Sequence, residues 1–71
     1  MKPGTRVRMS KQLKEALKRN GCGDHVQEFG QCIGVVRGPV NYGTQIGPEV
    51  DVVWQPGNLR YAYKPEDLEE V

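Results

Sequence analysis

Short runs of alternating apolar and polar residues, separated by glycine and proline, limit how this chain can fold. Residues 49–54 give the clearest run, because Val50, Val52 and Trp54 occupy alternate positions. Such alternation predicts a half-buried β-strand, and glycine or proline between runs predicts turns. Comparable short runs lie at residues 6–9, 32–37, 59–63 and 68–71. The sequence therefore predicts a mostly β fold.

One helix is predicted in the first connection between strands. Ser10 can accept hydrogen bonds from the free backbone N–H groups of a first turn, and residues 11–20 are good helix formers. Gly21 is suited to end the helix. A helix of about ten residues is marginal alone. We therefore expect Leu13 and Leu17, which share one side of it, to dock on the core.

Two other connections are expected to lack regular structure. Residues 22–30 are interpreted as an irregular connection that Phe29 anchors, and residues 38–48 as a long loop. Tyr42 would lie at the tip of that loop, where an exposed side chain is favoured. Gly34, inside a predicted strand, indicates a bend or a close approach of another backbone or side chain.

The length of 71 residues allows only one small core. A flat sheet would leave one face wet, whereas a closed barrel buries an inner layer and removes most strand edges. We therefore predict an all-β fold with one inserted helix, a five-stranded small barrel that spans residues 1–71 as a single domain. The helix, about residues 10–20, would lie between strands 1 and 2 and plug one end together with Phe29. The expected inner layer is Val7, Met9, Cys32 or Ile33, Val35 or Val36, Val50, Val52, Trp54, Tyr61 or Tyr63, and Leu68.

Several spaced motifs are similar to those of a known group of folds. They are Gly4-x-Arg6-Val7-Arg8, Gly30-x3-Gly34-x-Val36, Val50-x-Val52-x-Trp54-x2-Gly57 and Pro65-x-Asp67-Leu68-Glu69-x-Val71. In this pattern the chain resembles the SH3-like small barrels. Among these folds, the spacing of its motifs is most similar to that of the photosystem I subunit IV (PsaE) group, the mind-bomb/HERC domains and the ribosomal KOW domains. The first two resemblances imply a protein partner, and the KOW-type resemblance implies nucleic acid. The chain departs from the KOW pattern in the four-residue spacing of Gly30 and Gly34, and from all three groups in its added helix.

Charge is unevenly distributed along the chain. Residues 1–20 carry seven Lys or Arg and one Glu, whereas residues 21–71 carry three Lys or Arg and eight Asp or Glu. A basic patch of this kind can bind phosphates or an acidic protein. The alternative is that the two ends of a compact domain meet and partly neutralise each other, or that the lysines only solvate a helix face.

The predicted function is non-catalytic binding, as a small adaptor module that docks onto a protein partner or complex. Lys11, Lys14, Lys18 and Arg19 are the candidates for electrostatic attraction, with Tyr42 and Arg60 as contact anchors. The alternative is a nucleic-acid-binding barrel that uses the same basic helix and an exposed aromatic side chain. Trp54, Tyr61 and Tyr63 are candidates for a stacking platform, but Trp54 fits a core position better.

No catalytic constellation is evident. Cys22, His25 and Cys32 match a zinc site only weakly, because one half of the usual ligand set is absent. A zinc- or redox-linked role is therefore a distant alternative, and no metal or cofactor is predicted. The paired carboxylates at residues 66–67 and 69–70 are expected at a surface terminus, where nothing would desolvate them. We expect neither an enzyme nor a small-molecule substrate.

The same composition bears on location. No stretch approaches the roughly 20 apolar residues of a membrane span, so we expect no membrane partner. Two cysteines are too few for a disulfide framework, which favours a reducing compartment. The predicted location is the cytoplasm.

Overall fold

Five strands and two helices make up the fold. The structure is a computed structural model that describes residues 1–42 and 45–71, with side chains described for residues 1–40 and 48–71. In chain order the elements are β1 (Arg6–Met9), α1 (Lys11–Arg19), α2 (Gly23–Phe29), β2 (Ile33–Tyr42), β3 (Gln45–Gln55), β4 (Leu59–Tyr63), a 3₁₀ turn (Pro65–Asp67) and β5 (Leu68–Glu70).

The strands form one antiparallel sheet in the order β4-β3-β2-β1-β5. The prediction of five strands is confirmed, whereas the predicted closure of the sheet into a barrel is not. Strand β5 returns after the 3₁₀ turn and pairs with β1, with Arg8 opposite Glu69. Within residues 1–42 and 45–71 no pairing joins β4 to β5, so the sheet is open and these two strands are its edges.

Helix α1 confirms the predicted helix and its start. The Ser10 hydroxyl oxygen accepts a hydrogen bond from the Leu13 backbone N–H at 3.0 Å, which satisfies one free donor of the first turn. Leu13 is buried in the core and Leu17 packs against it at half-burial. The two leucines therefore dock the helix on the sheet, and Lys18 lies in its exposed last turn.

The expectation of an irregular connection over residues 22–30 is wrong, and so is the expectation of a single inserted helix. Residues 23–29 form α2, which has no side-chain cap at its start. Val26 and Phe29, three residues apart, are both buried. Their burial outweighs the weak helix propensity of this glycine-flanked segment, because tertiary packing stabilises short helices more than propensity does.

The expectation of a loop over residues 38–48 is also wrong. Strand β2 continues to Tyr42, and β3 begins at Gln45. Gly38 and Pro39 are accommodated by two register shifts in the β2–β3 ladder, and Gly38 has a φ of 142°. A bulge tolerates proline and a special backbone conformation, so the residues that signalled a loop bend the strand instead.

The core lies between the two helices and one face of the sheet, which we call the inner face. It consists of Val7, Met9, Leu13, Phe29, Val36, Val50, Val52, Trp54, Tyr63 and Leu68. The close approach expected at Gly34 is confirmed. A Cβ atom there would overlap Val52 Cγ1 and lie 2.9 Å from Trp54 Cε3. Glycine at this position leaves room for the side chains of Val52 and Trp54.

In the part of the chain that the structure describes, no helix is both long and apolar enough to cross a membrane.

Candidate binding surfaces

The face of the sheet turned away from the core, which we call the outer face, carries one row of side chains across four strands. The ladder places Arg60 opposite Val53, Val53 opposite Val35, and Val35 opposite Arg6. Directly opposed residues on one face of a sheet are in contact range. The two valines are half-buried and the two arginines are exposed. The row is thus an aliphatic centre with an arginine at each end.

Positive charge predominates around this row. Arg8 and Arg37 are exposed, and three carboxylates, Glu49, Asp51 and Glu69, have outer-face parity. The Arg8 guanidinium donates to Glu69 Oε2 from Nε at 3.2 Å and from Nη2 at 3.1 Å. This exposed ion pair adds little stability, but it neutralises Glu69. Among the described side chains the four arginines outnumber the three carboxylates, so the outer face is cationic.

A basic cleft of about 400 Å³ adjoins the outer face. It lies between α1 and the ends of β1 and β5, and we call it the basic cleft. Its cations are Arg8, Lys11 and Lys14, and its one carboxylate is the Glu69 already bound to Arg8. Ile33, Arg8 and Glu69 belong to both surfaces, so the cleft and the outer face form one continuous cationic region.

The predicted contact residues are divided among several places. Lys11 and Lys14 line the basic cleft, whereas Lys18 and Arg19 are exposed in the last turn of α1 and lie outside it. Arg60 lies at one end of the outer-face row. Tyr42 ends strand β2, and its side chain falls outside the described residues.

Sequence reasoning missed the contribution of β1 and the valines. Arg6 and Arg8 entered only the charge count, the first predicted strand and the first spaced motif. Val35 was an alternative to Val36 for the inner layer, and Val53 was only a strand position. The signal was present in the alternation Arg6-Val7-Arg8-Met9, because a period of two places both arginines on the face opposite the core.

A hydrogen-bonded aromatic network lies on the inner face. The indole Nε1 of Trp54 donates to the Tyr63 hydroxyl oxygen at 2.9 Å, and that hydroxyl lies 2.5 Å from His25 Nε2. The Tyr63 hydroxyl accepts from Trp54 and still has a proton and a second lone pair, so the direction of its bond with His25 depends on the tautomer of the ring. When Nε2 carries no proton, the donors run from Trp54 through Tyr63 to His25.

Burial shifts the pKa values of His25 and Tyr63 in the directions that favour their neutral forms. Desolvation lowers the pKa of His25, against a smaller opposing effect of the Glu28 carboxylate. Desolvation raises the pKa of Tyr63 to about 12, although its hydrogen bond with Trp54 lowers it and Tyr61 raises it further. Burial thus favours the neutral form of both residues, which suits a structural role.

Tyr61 lies beside this network but remains exposed. Its ring centroid is 4.7 Å from that of His25 and 5.3 Å from that of Phe29. A cleft of about 320 Å³ opens next to it, with apolar walls from α1 and β4 that include Leu13 and Leu17. Trp54 and Tyr63 are buried, so neither is available as a stacking platform.

The three residues weighed as a zinc or redox constellation are engaged elsewhere. His25 Nε2 faces Tyr63, and the Cys32 thiol donates to the Glu28 carbonyl oxygen at 3.5 Å. Cys22 is exposed, and both cysteines are free. Over the described residues, no three His, Cys, Asp or Glu side chains come together as a metal site.

Comparison with known proteins adds no assignment. The chain matches no family model and has no significant match among curated proteins or solved structures. Any functional conclusion therefore depends on the surfaces described above.

Proposed function

We propose that this protein is a non-catalytic docking module whose outer face binds an acidic segment of another protein. The observation that carries the proposal is the row from Arg60 through Val53 and Val35 to Arg6. Arginine forms paired hydrogen bonds with carboxylates, and its planar group keeps that geometry at an interface. Two aliphatic residues between two arginines suit a segment in which apolar residues lie between carboxylates.

The composition of the outer face supports a protein interface. Protein interfaces combine an apolar centre with a polar rim and are enriched in arginine. The half-buried Val35 and Val53 supply the centre, and the exposed arginines supply the rim. The basic cleft, with Lys11 and Lys14, extends the positive field along the protein. Such a field mainly accelerates the encounter with an acidic partner.

A protein is a better fit than a nucleic acid on this face. Single-stranded nucleic acids bind through bases stacked on aromatic side chains as well as through phosphate contacts. Among residues 1–40 and 48–71, the outer face carries no aromatic side chain, since Trp54, Tyr61 and Tyr63 have inner-face parity. Nucleic-acid binding through the basic helix is the competing proposal, and the experiment below includes it as an outcome.

We also propose that the fold is related to the SH3-like small barrels. A β5 strand that returns after a 3₁₀ turn to pair with β1 supports an SH3-like small barrel whose sheet is left open. The resemblance to PsaE-type and mind-bomb-type domains favours protein docking. Two free cysteines are compatible with the cytoplasmic location that we propose.

The test is a titration of the isotope-labelled protein followed by NMR. The probe is a short peptide of alternating glutamate and valine, and the matched probe replaces every valine with serine. We expect the first peptide to shift the amide signals of Arg6, Val35, Val53 and Arg60, and the second to bind more weakly. A single-stranded oligonucleotide of equal charge tests the alternative.

Two charge-reversal pairs provide the matched controls. Arg6→Glu with Arg60→Glu and Lys18→Glu with Arg19→Glu change the net charge equally, and all four residues are exposed. We expect only the first pair to abolish peptide binding. Equal losses in both pairs, or tighter oligonucleotide binding centred on Lys11 and Lys14, would overturn the proposal.

A further inference from the structure

The two edges of the sheet differ in how they are protected. Natural proteins protect sheet edges with short strands, charged residues, proline or bulges. Strand β5 follows this rule, because it has three residues and two of them are Glu69 and Glu70. Strand β4 has five residues that pair with β3 without interruption, and it contains no proline. Its Leu59 and Tyr61 are 44% and 41% exposed. The β4 edge is therefore open, and Arg60 is its one charged residue.

We propose that β4 pairs with β4 of a second copy of this chain, antiparallel and about a two-fold axis at Tyr61. The two sheets would then continue into one, and the unpaired backbone groups of both edges would be hydrogen-bonded. An interface of this type is self-complementary, as two-fold symmetry requires. This inference concerns the edge of the sheet; it shares Arg60 with the outer-face proposal but does not rest on that proposal.

Charge selects this register over its neighbours. Opposed residues must face the same side of a sheet, so the register can slip only in steps that preserve parity. An axis at Arg60 would place that arginine opposite itself, and an axis at Ala62 would place Arg60 opposite Lys64. The axis at Tyr61 places Arg60 opposite Ala62 of the second copy and avoids both repulsions.

The same register gives Leu59 a place to be buried. With the axis at Tyr61, Leu59 of the second copy lies opposite Tyr63 on the inner face. Tyr63 lines the cleft of about 320 Å³ whose other apolar walls include Leu13 and Leu17. An exposed leucine of each copy would thus enter an apolar cleft of the other. Removal of this apolar surface from water favours association.

Two substitutions at Ala62 separate dimerisation from the stability of one chain. Within one chain Ala62 is opposite Asp51 of β3. Ala62→Lys therefore attracts Asp51 and stabilises the monomer, but it repels Arg60 of the second copy. Ala62→Glu has both effects reversed. If Ala62 acted only within one chain, each substitution would change the stability of the fold and the affinity of the dimer in the same direction. The proposed pairing predicts that each substitution changes them in opposite directions.

The assay is analytical ultracentrifugation of the full chain over a wide concentration range, with urea unfolding measured in parallel. We expect Ala62→Glu to tighten the dimer about fivefold and Ala62→Lys to weaken it about fivefold, because symmetry counts each cross-strand charge pair twice. Lys2→Gln and Glu70→Gln make the same net charge changes away from β4 and should leave the dissociation constant unchanged.

Three results would overturn the proposal. One is a chain that stays monomeric at the highest concentration reached. The second is a dimer that neither Ala62 variant alters, and the third is a dimer that both variants weaken. A peptide titration that shows no binding does not change the dissociation constant of the dimer. Docking on the outer face and pairing of β4 can therefore be refuted separately.

Discussion

Replacing Gly34 with alanine tests how tightly the sheet packs against the indole ring. The new Cβ atom would overlap Val52 Cγ1 and lie 2.9 and 3.0 Å from Cε3 and Cζ3 of Trp54. Val52 is 0% exposed and Trp54 is 1% exposed, so neither has solvent into which to move. Extra methylenes in a well-packed core cost about 1–3 kcal/mol, and two rigid neighbours place this variant near the upper value. The whole stability of a chain this short is only about 4–10 kcal/mol.

A second substitution gives the clash a specific signature. Val52→Ala removes the overlapping methyl group and should by itself cost about 2 kcal/mol, through lost burial and a small cavity. In the double variant the new Cβ atom at position 34 occupies part of that cavity. We expect the double variant to lose about 1–2 kcal/mol less than the sum of the two single losses.

Urea unfolding followed by the fluorescence of Trp54, the one tryptophan in the chain, measures all of these variants. Gly23→Ala is the matched control, because a Cβ atom there meets nothing within 4 Å and alanine favours the helix. It should be neutral or slightly stabilising. A Gly34→Ala variant as stable as the parent, or single losses that add fully in the double variant, would refute the packing argument.

Three further outcomes are expected. Ser10→Ala should cost about 1 kcal/mol in urea unfolding, because the Leu13 N–H loses its cap, whereas Ser10→Thr should retain most of the stability. Tyr63→Phe should cost about 1–3 kcal/mol and shift the Trp54 emission, since the buried indole N–H loses its acceptor; an unchanged spectrum and stability would contradict the network. The lowered pKa of His25 means that the unfolded chain takes up a proton first as pH falls, so the free energy of unfolding should decrease below about pH 6.5. His25→Gln should remove that part of the pH dependence, and an identical pH profile in this variant would contradict the assignment.

Sequence patterns predicted the elements that are determined by a few neighbouring residues. Helix α1 was predictable because Ser10, the helix formers after it and the Leu13–Leu17 spacing agree. Strand β3 was predictable over residues 49–54 for the same reason. Trp54 was correctly favoured as a core residue, because it shares the parity of its neighbouring valines.

Helix α2 and the long β2–β3 pair could not be predicted locally. Helix α2 has glycine at both ends, so its sequence favours an irregular connection. The helix depends instead on the burial of Val26 and Phe29 against other elements. Gly38 and Pro39 signal a turn in isolation, but pairing with β3 converts them into irregularities within a strand. In both places contacts from distant parts of the chain outweigh the local preference.

The candidate surfaces were predictable only in part. The charge count identified the basic first segment, and Arg60 was singled out as a contact anchor. The row that joins Arg60 to Arg6 depends on the register of three strand pairs, and no pattern within one strand specifies that register. Likewise, the partnership of His25 with Tyr63 joins residues 38 positions apart.

The pairing of β1 with β5 also determines the order in which the chain can fold. Arg8 and Glu69 are 61 positions apart, whereas β2, β3 and β4 follow one another as neighbouring hairpins. Closing a long loop costs more conformational entropy than closing a hairpin. The three-stranded meander can therefore form while β1 still lacks one neighbour, and β5 joins the sheet only once residues 68–70 are available. During synthesis on a ribosome, the core around Val7 and Met9 would remain incomplete until Leu68 has emerged.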